Sequence, residues 1–404
     1  MTGGLSKARL ARMHRVMADH VAAGRAVGVI TLIERRGETH VDIIGQADRE
    51  RSVTLKRDTI FRLASMTKPI TAAATMILVE ECKIRLDEPV DRLLPELANR
   101  RVLKDVNGPL SDTVPANRPI TARDLLTFRM GLGMSMPIPG ATPTPFQQAM
   151  TEAKLGGFKP PTPHTPDQWI KKLGELPLMY QPGERWQYHM GSDVLGVLIA
   201  RASGRSLGDF MRERLFEPLG MKDTGFHVPA EKIDRLGSCY AANPQTGALE
   251  LYDDAKSSLY ATPPAFPMGG AWLVSTLDDY LAFARMMLNG GKLGKERILS
   301  RTSIEAMSTD QLTEEQKRIS LAVPGFFDYQ GWGFGVSVIT KRGGPDMTPG
   351  RFGWDGAFGT CWMADPKEEM TSILMMQRMG TGGNPADAGP RADFPTLAYQ
   401  AIDD

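Results

Sequence analysis

Hydrophobic residues recur at helical spacing at the start of the chain, at Leu10, Met13, Val16, Met17 and Val21, and Gly24 stands where such a helix would end. The period then changes. Residues 28–35 and 39–45 are rich in β-branched side chains and are separated by Arg36-Gly37-Glu38, which predicts a hairpin. From 64 to about 83 the spacing is helical again. Pro69 fits only in a first turn, so this helix begins just before it and Ser65 stands at its N-terminus. Thr121 with Asp124 predicts a capping box ahead of Leu125-Leu126, in a helix stopped by Gly131.

Residues 131–166 are rich in Pro, Gly, Met and Thr and too long for an ordinary connection. Helical patterns return at 192–203 before Gly204, from Ser206 with Asp209 as its reciprocal cap to about Gly220, and at 276–289 before Gly290-Gly291. Strand patterns reappear at 333–340, 358–364 and 371–378, and a short helix near 395–402 closes the chain. The ends are β-rich and the middle α-rich. The simplest packing is an α/β (α+β) fold: one antiparallel sheet flanked by helices, drawn from residues 1–85 and 231–404, with a mainly helical domain, 86–230, inserted between them. A site is expected where the two meet.

Composition narrows the function. Of 404 residues, 48 are Lys or Arg and 47 Asp or Glu, and this balance argues against a nucleic-acid partner. Cys82, Cys239 and Cys361 lie far apart without a C-x-x-C pair, and the six histidines show no metal-ligand spacing, so neither a disulfide framework nor a metal cofactor is implied. The first 25 residues lack the apolar core of a signal peptide, and no run of 18 apolar residues occurs. The expectation is a soluble, cytoplasmic protein with no membrane partner.

Three segments carry candidate chemistry. Ser65-Met66-Thr67-Lys68 places a hydroxyl and an amine one helical turn apart, at a helix end that favours negative charge. Burial between Ala64, Ile70 and Ala72 would lower the amine pKa far enough for it to serve as a base. The bland alternative is a capped helix with a surface lysine. Tyr188 stands just ahead of the helix at 192, where a phenol near the amine could share its proton, or simply be a core aromatic. His189 is expected to point away from Tyr188, on the rule of strand alternation. In Trp354-Asp355-Gly356-Ala357, ahead of a strand, the glycine would let a substrate approach the backbone, and the Ala357 N–H could join that of Ser65 in an oxyanion hole. A tight turn with an exposed indole is the alternative.

In order and spacing these segments resemble the family VIII carboxylesterases, which share the fold of class C β-lactamases and D-alanyl-D-alanine peptidases. The likeness extends to residues 61–68, 120–127, 182–188, 216–221 and 269–276. The resemblance implies an acylated Ser65, proton transfer by Lys68 and Tyr188, an oxyanion hole from the N–H groups of Ser65 and Ala357, and a substrate wall from Trp354, Asp355, Gly356 and Met190. The sequence departs from the β-lactamase pattern where Y-x-N becomes Tyr188-His189-Met190 and where K-T-G becomes Trp354-Asp355-Gly356. Both changes remove polar recognition, so uncharged short-chain esters are the expected small-molecule substrates. β-Lactamase or D-amino-acid peptidase activity, acyl transfer to an alcohol, and a non-catalytic binding role on the same scaffold stand as alternatives. Met134, Met136, Met150, Phe146 and Phe158 could roof an acyl or alcohol pocket, or fill core gaps under a long loop.

Overall fold

The N-terminal hairpin closes through Arg36 and Gly37, both with positive φ (47° and 80°), as a two-residue type I′ connection requires. Glu38 therefore belongs to the second strand, which pairs with the first from Arg35↔Glu38 to Gly28↔Gly45. These strands are β1 (Gly28–Arg35) and β2 (Glu38–Asp48), followed by β3 (Val53–Thr54). The late part of the chain supplies β4 (Gln330–Trp332), β5 (Ser337–Ile339), β6 (Phe352–Asp355), β7 (Cys361–Asp365) and β8 (Met370–Met376). Together they form an eight-stranded antiparallel sheet in the order β4-β5-β6-β7-β8-β1-β2-β3. The computed structural model describes residues 3–134, 142–157, 159–243, 245–320, 324–380 and 389–404.

The centre of the sheet is covered on both faces, and the side chains sort by strand alternation. Val29, Ile33 and Leu374 pack with Met13, Met17 and Phe394 under the terminal helices α1 (Lys7–Ala22) and Gly389–Gln400. Ile30, Leu32, Ile373 and Met375 face the main core, together with the helices α2 (Thr67–Glu80) and Leu277–Leu288. That core continues through Leu125, Trp169 and Leu198 into the helices α3 (Ala122–Leu126), α5 (Pro166–Glu175) and α6 (Met190–Ser203). Every residue of α2 from Thr67 to Leu78 is buried, so this helix is the axis of the molecule.

Several expected boundaries move, each for a local reason. Of the segment at 333–340, residues 333–336 are the turn of a hairpin and 337–339 are β5, since β4 and β5 pair from Trp332↔Ser337 outward. The strand expected from 358 starts at Cys361, because residues 356–359 form a turn in which the Gly359 N–H donates to the Gly356 carbonyl at 2.9 Å. The capping box at Thr121 and Asp124 is present, but α3 ends at Leu126, ahead of Phe128 at φ 57°, and does not reach Gly131. The stretch 131–166 holds a helix of its own, α4 (Pro145–Glu152), opened by a second capping box of Thr144 and Gln147. Phe146 is buried in the main core, Met150 packs against that core and Met134 is exposed, while Met136 and Phe158 lie outside the described residues. Among the described residues no helix is long and apolar enough to cross a membrane.

Candidate active site

Ser65 sits on a short 3-10 turn, Ala64–Met66, that runs directly into α2. Ala64 takes φ 46°, an uncommon conformation for a residue with a Cβ, and so turns the chain sharply just ahead of the hydroxyl. The turn is held from outside: the Leu63 N–H donates to the Leu273 carbonyl at 2.8 Å, and the Tyr280 hydroxyl donates to the Met66 carbonyl at 3.1 Å.

Lys68, one turn further on, is wholly buried, with Nζ 2.9 Å from Ser65 Oγ, 2.6 Å from the Gly270 carbonyl oxygen and 3.0 Å from His189 Nδ1. Nζ also lies 4.6 Å from the centre of the Tyr188 ring. Loss of hydration lowers the ammonium pKa to about 7, against an upward pull from the Asp193 carboxylate. A fraction of the amine is therefore unprotonated near neutrality, which a surface lysine would not be.

Tyr188 enters from the chain just ahead of α6. Its hydroxyl accepts the indole N–H of Trp354 at 2.7 Å, and its interaction with the Ser65 side chain favours the phenolate. Burial pushes its pKa well above the ordinary value, so the phenol holds its proton at neutral pH. The ring belongs to an aromatic cluster: Trp186 stacks on it at 5.7 Å, and Phe128 and Trp332 meet it edge-on. The Trp354 indole is thus not the exposed group of a tight turn. It is half-buried on β6 and packs edge-on against Trp332 at 4.6 Å.

The segment after β6 closes the other side. Gly356 is needed for a reason different from substrate approach: a Cβ there would overlap the Leu63 carbonyl oxygen and Thr360 Oγ1, so only glycine lets this turn lie against the turn that holds Ser65. Ala357 and Phe358 pack with Ala64. Among the described residues neither the Ser65 N–H nor the Ala357 N–H has an acceptor in the protein. Asp355 is half-buried at the end of β6, and its charge adds to the forces that keep Tyr188 protonated. Met190, expected on the substrate wall, is buried in the main core.

His189 does not point away. It adopts φ 87° and ψ −62°, the geometry of a strained γ-turn, at the head of α6, which begins at Met190 and not at Ser192. Strand alternation does not apply there, and the imidazole meets Lys68. Its Nε2 lies 3.1 Å from Asp193 Oδ2, and Asp193 Oδ1 accepts the Gly270 N–H at 2.8 Å. Gly269-Gly270 threads between α2 and α6, where a Cβ on Gly269 would overlap the Ser192 carbonyl oxygen. Sequence reasoning missed His189, Asp193 and Gly270. The signal was a histidine four residues ahead of an acid within an otherwise apolar helix start.

Among the described residues no group of three or more His, Cys, Asp or Glu side chains could hold a metal ion. The arrangement offers nucleophilic chemistry: a hydroxyl, a buried amine, a protonated phenol and two unpaired N–H groups on adjoining turns.

The chain is similar to known proteins over most of its length. The chain is 38% identical over 398 residues to Protein Rv1367c of Mycobacterium tuberculosis, covering 94% of this chain and 96% of that protein. It is 30% identical over 386 residues to Esterase EstB of Burkholderia gladioli, covering 90% and 89%. Its fold matches the solved structure of EstCE1, described as a hydrolase with promiscuous acyltransferase activity, with a TM-score of 0.77, 24% identity and coverage of 98% and 99%. The Beta-lactamase family model matches residues 13–394, and the chain belongs to that family.

Proposed function

We propose that this protein is a serine carboxylesterase that hydrolyses short-chain carboxylic esters through an acyl-enzyme on Ser65. The observation that carries the reading is the 2.9 Å approach of a wholly buried Lys68 amine to Ser65 Oγ. Unprotonated Lys68 takes the Ser65 proton as Oγ attacks the ester carbonyl carbon. The oxygen that becomes negative lies toward the N–H groups of Ser65 and Ala357 and the N-terminal end of α2. As the carbon–oxygen bond breaks, the alcohol leaves with a proton delivered by the Tyr188–Lys68 pair. Water then attacks the acyl carbonyl, gives a proton back to the same pair, and releases the acid as Ser65 regains its hydrogen. Ester and water become acid and alcohol, and no cofactor takes part.

The indole of Trp354 supports uncharged substrates, since it stands where the β-lactamase pattern carries a cation for the substrate carboxylate. Likeness to Esterase EstB supports the same reaction class. Ser65→Ala tests the proposal: turnover of a short-chain aryl ester is lost with the fold intact, and retained turnover rejects it. A second reading, transfer of the acyl group to an alcohol in place of water, is favoured by the aromatic side chains Trp186, Phe326 and Trp354 beside the phenol and by the likeness to EstCE1. Added short-chain alcohols that raise total turnover and yield a new ester would support it.

A further inference from the structure

The hydrogen-bond directions around Lys68 can be followed donor by donor. Trp354 Nε1 can only donate, so the Tyr188 oxygen accepts there and its own hydrogen is not used in that bond. For Lys68 to act as a base, its one lone pair must face the Ser65 O–H, so its two remaining hydrogens must go elsewhere. The Gly270 carbonyl takes one at 2.6 Å. The other group in reach is His189 Nδ1 at 3.0 Å, which can accept only if it carries no hydrogen. The imidazole hydrogen must then be on Nε2, which faces Asp193 Oδ2 at 3.1 Å. Oδ2 is buried and makes no hydrogen bond among the described residues, so it stands as an unsatisfied acceptor facing Nε2, while Oδ1 is held by the Gly270 N–H.

Resting on the reading of Ser65 and Lys68 above, we propose that Asp193 and His189 are positioning residues: the carboxylate fixes the imidazole with its hydrogen on Nε2, and the bare Nδ1 then orients the Lys68 lone pair toward Ser65. The geometry is specific. If the hydrogen moved to Nδ1, the imidazole would donate to Lys68, the lone pair would turn to His189, and Ser65 would lose its base. A carboxylate that selects a tautomer in this way contributes orientation without itself changing protonation state. The φ of 87° at His189 is consistent with a residue held by its partners against local strain. Asp193 and Gly270 close the arrangement, since the Gly270 peptide donates to the acid through its N–H and accepts from the amine through its carbonyl.

A double-mutant cycle on the intact protein, read as kcat and KM for a short-chain aryl ester, tests this. Asp193→Asn places an amide donor opposite Nε2, drives the hydrogen to Nδ1, and is expected to lower kcat by at least about 20-fold with KM little changed. His189→Asn places an amide oxygen near the position of Nδ1 and tolerates positive φ, so it is expected to stay within about 5-fold of the parent, whereas His189→Ala falls by at least about 20-fold. In the His189→Asn background no tautomer remains to be selected, so adding Asp193→Asn is expected to cost less than about 3-fold. Equal costs of Asp193→Asn in both backgrounds, or equal losses for His189→Asn and His189→Ala, would overturn the proposal in favour of a purely structural role. Should His189→Ala fail to fold, the Asn cycle still decides. Activity surviving in Ser65→Ala would instead reject the underlying mechanism, and the two failures are distinct.

Discussion

The Trp354 indole N–H donates to the Tyr188 hydroxyl at 2.7 Å, and this one bond fixes which way the phenol can give its proton. An indole nitrogen cannot accept, so the Tyr188 hydrogen is not shared with Trp354 and is left for another acceptor. Trp354→Phe keeps the ring packing against Trp332 and removes only the donor. The expected outcome is a loss of about 10-fold in kcat with a nearly unchanged thermal midpoint, measured by ester kinetics and calorimetry.

Lys68 has to be unprotonated to accept the Ser65 proton, and burial brings its pKa to about 7. The expected kcat/KM for an uncharged ester therefore rises with pH through about 7 and levels off above it. His189 sits in the same buried site with its pKa lowered by burial, so it is neutral over the plateau and adds no second ascending limb there. A pH–rate profile between 5 and 9 checks this.

The same burial costs stability, and the sign follows from proton counting. Between about 7 and the ordinary lysine value of 10.5 the unfolded chain binds a proton at Lys68 that the folded protein does not. Unfolding free energy from this group therefore rises with pH across that window, by ~1.4 kcal/mol per pH unit. Lys68→Met removes the titration. Urea unfolding at pH 7 and pH 9 should show the parent gaining stability relative to Lys68→Met at the higher pH, together with complete loss of ester turnover in the variant.

Gly356 lies against Leu63 and Thr360 with no space for a side chain. Gly356→Ala should push the Ala357 segment away from Ser65 and lower kcat by about 100-fold while the chain remains folded, as read by kinetics and circular dichroism. An unchanged kcat would mean that the Ala357 N–H has no part in the reaction.

The features that could be read in the sequence are those set by short-range chemistry. Ser65 and Lys68 are three residues apart where a 3-10 turn runs into a helix whose start Pro69 dictates, and the caps at Thr121 and Ser206 follow from side chains that satisfy nearby N–H groups. What could not be read depends on backbone geometry imposed from a distance. The direction of His189 is not legible because its φ of 87° belongs to a turn packed against α2, where strand alternation has no meaning. The helix α4 is masked in the sequence although Thr144 and Gln147 carry a capping box like that of Thr121 and Asp124, because the Pro, Gly and Thr around it outweigh eight residues of weak periodicity. The role of Gly356 depends on the carbonyl of Leu63, nearly three hundred residues away in the chain.

The most direct measurement is mass spectrometry of the intact and digested protein after exposure to a fluorophosphonate at pH 8. The account requires a single adduct on the peptide containing Ser65, formed in step with loss of ester turnover, absent in Ser65→Ala and strongly slowed in Lys68→Met. An adduct on another residue, or ester hydrolysis that continues with Ser65 fully modified, would contradict it.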